Sequence, residues 1–117
     1  MIQVITEMSD LQNIVNKTGG KTAVDFSASW CGPCKRLYPL YEELSNNPLY
    51  SSISFIKVDV DDAQEISDAC NISSLPTIQF YMWSSEKNQA DLVDEILGFN
   101  PNELKKCIEK LSSSLIA

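Results

Sequence analysis

The sequence predicts an α/β fold: a central mixed five-stranded sheet flanked by four helices, in the order βαβαβαββα. Three observations carry this. Strand-like and helix-like segments alternate along the chain, which implies parallel neighbours joined by right-handed crossovers. The last two strand-like runs are joined by a segment too short for a crossover, so they should pair antiparallel. A chain of 117 residues with 44% hydrophobic content is long enough for one core and too short for two, so residues 1–117 read as a single domain.

The elements follow in order. Ile2 to Ile5 reads as a short apolar strand. Ser9, with Gln12 three residues on, reads as a capping box. Leu11, Ile14 and Val15 continue at helical spacing, and Gly19-Gly20 ends that helix. Thr22 to Ala28 is an apolar run of strand length, broken by Asp25. A helix follows Cys31, with Leu37, Leu40, Tyr41 and Leu44 on one face, Pro39 inside it as a kink, and Asn46-Asn47-Pro48 as its stop. Ile53 to Val60 alternates as a strand does in its second half. Ala63, Ile66, Ala69 and Cys70 suggest a short helix, and Thr77 to Trp83 and Leu92 to Leu97 are the last strands. The final helix has the clearest start, with Asn100 as N-cap, Pro101 as first residue and Glu103 as third. Leu104, Ile108 and Leu111 form its buried stripe.

Composition removes several functions. The formal net charge of −7 repels phosphate backbones and argues against nucleic-acid binding. No apolar run approaches the ~20 residues of a membrane span. The start of the chain carries no leader pattern and its end no prenylation cysteine. The expectation is a cytoplasmic protein with no membrane association. The chain has no histidine, which removes histidine-based triads and Cys/His zinc fingers. Its four cysteines, Cys31, Cys34, Cys70 and Cys107, are too sparse for a disulfide-stapled mini-domain.

The chemistry concentrates in Trp30-Cys31-Gly32-Pro33-Cys34-Lys35, where the second strand gives way to the second helix. Spacing of i, i+3 in a first helical turn brings two sulfurs within bonding reach. It also leaves Cys31 at the helix N-terminus, where free N–H groups and the macrodipole favour a thiolate. Cys31 is therefore expected to be the nucleophile and the more exposed thiol, and Cys34 the more buried. Pro33 suits the start of a helix, and Gly32 lets a partner backbone come close. The same spacing is half of a zinc site. Four ligands would be needed, and Cys70 and Cys107 stand singly on two other helices, so no bound metal or cofactor is expected.

Asp25 interrupts an otherwise buried strand. A lone carboxylate there should have a raised pKa and could take the proton of Cys34 through a water; a strand-edge aspartate with a satisfied hydrogen bond is the plainer alternative. Lys57 reads either as a solvated lysine or as the charge partner of Asp25. Leu75-Pro76-Thr77 precedes the fourth strand, with Pro76 either an ordinary strand-start residue or a cis proline. Trp30 reads as core or as a lid beside the sulfurs, and Trp83 as structural. Cys70 and Cys107 read as core thiols, with a regulatory role as the alternative.

Val24-Asp25-Phe26-Ser27-Ala28-Ser29-Trp30-Cys31-Gly32-Pro33-Cys34-Lys35, with Leu75-Pro76-Thr77, closely resembles the thioredoxin family. The resemblance extends to Pro39, Lys57-Val58-Asp59 and Gly98 and covers nearly the whole chain. It implies the thioredoxin fold and a protein-disulfide reductase serving cell redox homeostasis. By position, Cys31 is the attacking cysteine and Cys34 the resolving one of a redox-active disulfide. Asp25 is the buried acid and Lys57 its neighbour, Pro76 is the cis proline, and the Leu75 backbone pairs with the substrate. Trp30, Gly32, Pro33, Pro76, Thr77 and Gly98 border the substrate groove. The resemblance also implies electrons from NADPH through thioredoxin reductase. The implied clients are ribonucleotide reductase, peroxiredoxins and methionine sulfoxide reductases, and the implied state is a monomer. Gly-Pro between the cysteines favours a reductant over an oxidising isomerase, while Cys70 and Cys107 lean toward eukaryotic cytosolic members. The stretch 83–91 is longer and more polar than the family's tight turn and reads as a surface insertion. A fold used only as a binding adaptor is the competing function, and the intact cysteine pair argues against it.

Overall fold

A computed structural model describes residues 1–114. The elements are β1 (Ile2–Val4), α1 (Met8–Val15), β2 (Lys21–Ser27), α2 (Gly32–Ser45), a 3-10 turn (Pro48–Tyr50), β3 (Ile53–Asp59), α3 (Gln64–Ala69), β4 (Thr77–Ser84), β5 (Gln89–Leu97) and α4 (Pro101–Ser113). They form one five-stranded sheet in the order β1-β3-β2-β4-β5. β3 runs parallel to β1 and β2, while β4 runs antiparallel to β2 and β5. This is the mixed sheet that the alternation and the short last connection predict.

β2 is the central strand, and every one of its residues is buried. Its side chains alternate between two cores. Ala23 joins Leu37, Tyr41, Phe55, Phe80, Leu104 and Ile108 under α2 and α4. Val24 and Phe26 join Leu11, Ile56, Val58 and Ile66 under α1 and α3. Each such large aliphatic or aromatic side chain contributes about 1.5–3 kcal/mol when fully buried. Tyr41 ties the layers further: its hydroxyl reaches the carbonyls of Ala23 (3.0 Å) and Ile56 (2.7 Å). At the far end of β2, the buried Lys21 ammonium donates to the carbonyls of Ser112 (3.0 Å) and Ser114 (2.6 Å). It thereby caps the C-terminus of α4 with a cation, where the helix dipole favours one.

The structure corrects three local expectations. The capping box at Ser9 is absent: Glu7 is the N-cap of α1, and no side chain caps it. Met8 packs against the second core, so the helix starts early enough to bring that side chain in, and Ser9 falls inside it. The same helix ends at Val15 with Asn16 as C-cap rather than running on to Gly19-Gly20; Gly19 (φ 75°) serves the turn that follows. The strands run further into the stretch 83–91 than Trp83 and Leu92. β4 and β5 continue into it, pairing out to Ser84 with Gln89, so the turn spans only residues 85–88. Asn88, at φ 53°, takes the left-handed position that a glycine would otherwise occupy.

β5 is one edge of the sheet. Its pairing with β4 shifts register between Phe80 and Tyr81, a bulge that leaves Val93 without a partner. No helix among the described residues is long and apolar enough to cross a membrane.

Candidate active site

The crossover from β2 to α2 builds the site. Cys31 is the N-cap of α2, in extended conformation, and its sulfur accepts a hydrogen bond from the Cys34 N–H at 3.2 Å. That N–H is one of the donors a helix start leaves free. Pro33 sits in the first turn, where its missing N–H costs nothing. The Cys31 N–H returns to the Ala28 carbonyl at 3.1 Å. The two cysteines are joined as a disulfide with their Cα atoms 5.3 Å apart.

The expected contrast in exposure is not there: Cys31 is 5% and Cys34 4% exposed. Both pack with Ala28 against Val60 and Leu75, and the bond between them holds Cys31 down against the helix. The difference lies in the openings they face. Cys31 lines a groove of about 460 Å³ with Trp30, Gly32, Pro33, Val60 and Leu75. Cys34 lines a second cleft of about 270 Å³ with Tyr38, Lys57 and Asp59.

Trp30 is 68% exposed, which removes the core reading and leaves it as a flank of the groove. Its indole N–H donates to Asp61 at 2.9 Å, and Asp61 is in turn placed by its own N–H to Asp59 at 2.9 Å. Across the groove the Leu75-Pro76 bond is cis. Thr77 Oγ1 donates to the Ser74 carbonyl at 2.6 Å, which fixes the bend before β4. Gly98, at φ 84°, donates its N–H to the Pro76 carbonyl at 2.8 Å. The groove wall therefore brings together Trp30, Cys31, Gly32, Pro33 and Leu75. Pro76, Thr77 and Gly98 do not line that cavity. Val60, Ile72, Ser73 and Ser74 also line it and were not singled out in the sequence. Only their nearness to Asp59 and to Leu75-Pro76 could have signalled them.

Asp25 lies at the middle of β2, 3% exposed, between Lys57 on β3 and Ile78 on β4. One of its oxygens is the sole buried side-chain polar atom without a hydrogen-bond partner among the described residues. Burial pushes its carboxyl up to about 7, and the Lys57 ammonium pulls the other way. Asp25 therefore stands inside the sheet, paired on both sides, and not at a strand edge. The Lys57 ammonium stands 4.5 Å over the Tyr38 ring, a cation–π contact that holds it at the second cleft.

Cys70 and Cys107 are free thiols. Cys107 is buried in the core beneath α4, and burial together with Asp94 and Glu103 pushes it up to about 12, which keeps it protonated and inert. Cys70 is half-buried at the end of α3 and its pKa is also raised by burial. Among the described residues, no three potential metal ligands come together.

A sequence model of the family described as Thioredoxin matches residues 2–110. Thioredoxin 1 of Plasmodium falciparum (isolate 3D7) is 41% identical over 113 residues, which span 97% of this chain and 100% of that protein. Among solved structures, the thioredoxin of Malassezia sympodialis (Mala s 13) superposes with a TM-score of 0.84 at 31% identity, over 97% of this chain and 92% of that one. A chain from the structural work on thiol resolution in a yeast mitochondrial 1-Cys peroxiredoxin, through the glutathione and thioredoxin systems, superposes with a TM-score of 0.79 at 30% identity. It covers 93% of this chain, which in turn covers 94% of it.

Proposed function

The chain belongs to the thioredoxin family, and on that premise we propose how its residues divide the work. It is a protein-disulfide oxidoreductase that reduces protein disulfides by dithiol–disulfide exchange through Cys31 and Cys34. The observation that carries this is the bonded pair at the start of α2, opening on a groove.

In the reduced protein the Cys31 thiolate attacks a client disulfide. One client sulfur leaves as a thiolate and takes a proton, and a mixed disulfide remains. Cys34 then gives up its proton and attacks the Cys31 sulfur. The mixed disulfide breaks, the second client sulfur leaves, and two electrons have passed to the client. The position of Cys31 at a helix N-cap, accepting from the Cys34 N–H, supports it as the attacking thiolate. Asp25 is the proton acceptor for Cys34, acting through water, because its carboxyl titrates near neutrality and so is poised for exchange. Lys57 tunes it. Trp30, Gly32 and Pro33 border the docked client within the groove, the Leu75 backbone pairs with it as a strand would, and Pro76, Thr77 and Gly98, outside the cavity itself, border the part of the client that extends past Leu75.

Electrons come from NADPH through thioredoxin reductase, and no cofactor is bound. Clients include peroxiredoxins, to which the yeast structural relative is related by its thiol resolution, and proteins of the ribonucleotide reductase and methionine sulfoxide reductase kinds. The protein acts as a monomer in the cytoplasm; a redox pair with two unpaired thiols suits a reducing compartment. The test is reduction of an insulin-type disulfide with NADPH and a thioredoxin reductase. Cys34→Ser should trap clients covalently on Cys31, and a variant that traps none would overturn the assigned roles.

A further inference from the structure

Beside the attacking cysteine stands a cation that, among the described residues, pairs with no carboxylate. Arg36 lies one helical turn beyond Gly32 and on the same face of α2. A Cβ built on Gly32 would meet the Arg36 guanidinium at 3.5 Å, and nothing else. The guanidinium sits 5.5 Å over the ring of Phe99, and among the described residues no ion pair involves it. Phe99 is 47% exposed, so its ring is a platform and not part of a core. It follows Gly98, whose N–H donates to the carbonyl of Pro76, the residue next to the groove-lining Leu75. The pair therefore bridges α2 and the β5–α4 connection and places a fixed positive charge beside the groove.

We infer that Arg36, held on Phe99, is a specificity-determining residue that favours client disulfides with a carboxylate next to the attacked cysteine. This rests on the disulfide-reductase reading above. A planar guanidinium resting on a ring has already lost much of its rotamer freedom, while its edge donors remain free for a carboxylate. The net charge of −7 would steer cationic clients toward the molecule as a whole, but beyond about 8 Å that field is screened at physiological salt. A contact at the cysteine itself is not.

The experiment uses three cyclic disulfide peptides, identical except for Glu, Gln or Lys beside the first cysteine, and the pre-reduced protein as reductant. The quantity read is the rate ratio of the Glu peptide to the Lys peptide. Arg36→Gln should lower it about fivefold, the scale of one unit-charge contact at a wet surface. Arg36→Glu should lower it further, and Phe99→Leu should fall between Arg36→Gln and the wild type. Lys35→Gln removes the same charge one residue away and should change the ratio by less than about twofold. The Gln peptide should be reduced equally by the wild type and the Arg36 and Phe99 variants, and Lys35→Gln is read by its ratio alone. Equal shifts from Arg36→Gln and Lys35→Gln, or no shift at all, would overturn the inference while leaving the reductase reading intact. Failure of the wild type to reduce even the Gln peptide would overturn both.

Discussion

Asp25 carries the largest electrostatic penalty within the site. In the unfolded chain its carboxyl releases a proton near the ordinary value of 3.8, and in the fold near 7. Between those values the folded protein holds a proton that the unfolded chain has lost. Stability therefore falls as the pH climbs from about 4 to about 7, and the loss, roughly 4 kcal/mol, is complete above that. Asp25→Ala should raise the urea midpoint at pH 8 and match or fall slightly below the wild type at pH 4. It should also slow client reduction. Equal destabilisation at both pH values would show that the carboxyl is not the source of the penalty. Lys57→Met removes the one charge that lowers the Asp25 pKa, so a carboxyl NMR titration should find Asp25 above its wild-type value; a lower value would remove Lys57 from the role given to it. The sequence disclosed Asp25 because a lone carboxylate in an apolar run is a local anomaly. It could not disclose Arg36 and Phe99, whose partnership exists only once α2 and the end of β5 meet in space. Nor could it show that both sulfurs are covered, since Val60 and Leu75 reach them from distant segments.

At the scale of the element, legibility followed locality. The start of α4 was readable because Asn100, Pro101 and Glu103 define it among themselves, and the Asn100 side chain does accept from the Glu103 N–H at 3.3 Å. Asn100→Ala should cost about 1 kcal/mol in denaturant unfolding; no change would mean that water caps the helix equally well. The start of α1 is not legible from Ser9 and Gln12, because the Met8 side chain packs on the second core and the helix begins with it. The β4–β5 hairpin extends past the apolar runs because Ser84, Gln89, Ala90 and Asp91 pair as strand without a large apolar side chain among them to mark it. If Asn88 closes that hairpin in the left-handed region, Asn88→Gly should leave thermal stability within about 0.5 kcal/mol, while Asn88→Val should cost about 1 kcal/mol or more. Equal tolerance of both would place the turn elsewhere.

At the scale of the whole molecule, one sheet separates two cores that share no side chain. Ile108 belongs to one and Ile66 to the other. Ile108→Val and Ile66→Val should each cost about 1 kcal/mol, and the double variant should cost their sum to within about 0.5 kcal/mol. A large departure from additivity would mean that the sheet transmits repacking from face to face. The fold class was legible from the alternation of elements because that alternation is a property of the entire chain, insensitive to errors at any one boundary.

The sheet also ends in two unequal ways. β1 is a three-residue rim, too short to recruit another strand, whereas β5 offers nine residues of backbone on its outer side. That long margin invites fibre growth, strand upon strand, between copies. It is guarded by Asp91, Asp94 and Glu95 along its length and by the bulge at Val93, which breaks the regular spacing a neighbouring strand would need. The guard is made of charge, so taking the charge away should release the margin. Light scattering of the wild type should stay flat on standing and that of the Asp91→Asn, Asp94→Asn, Glu95→Gln variant should rise; a variant as clear as the wild type would leave the bulge as the guard.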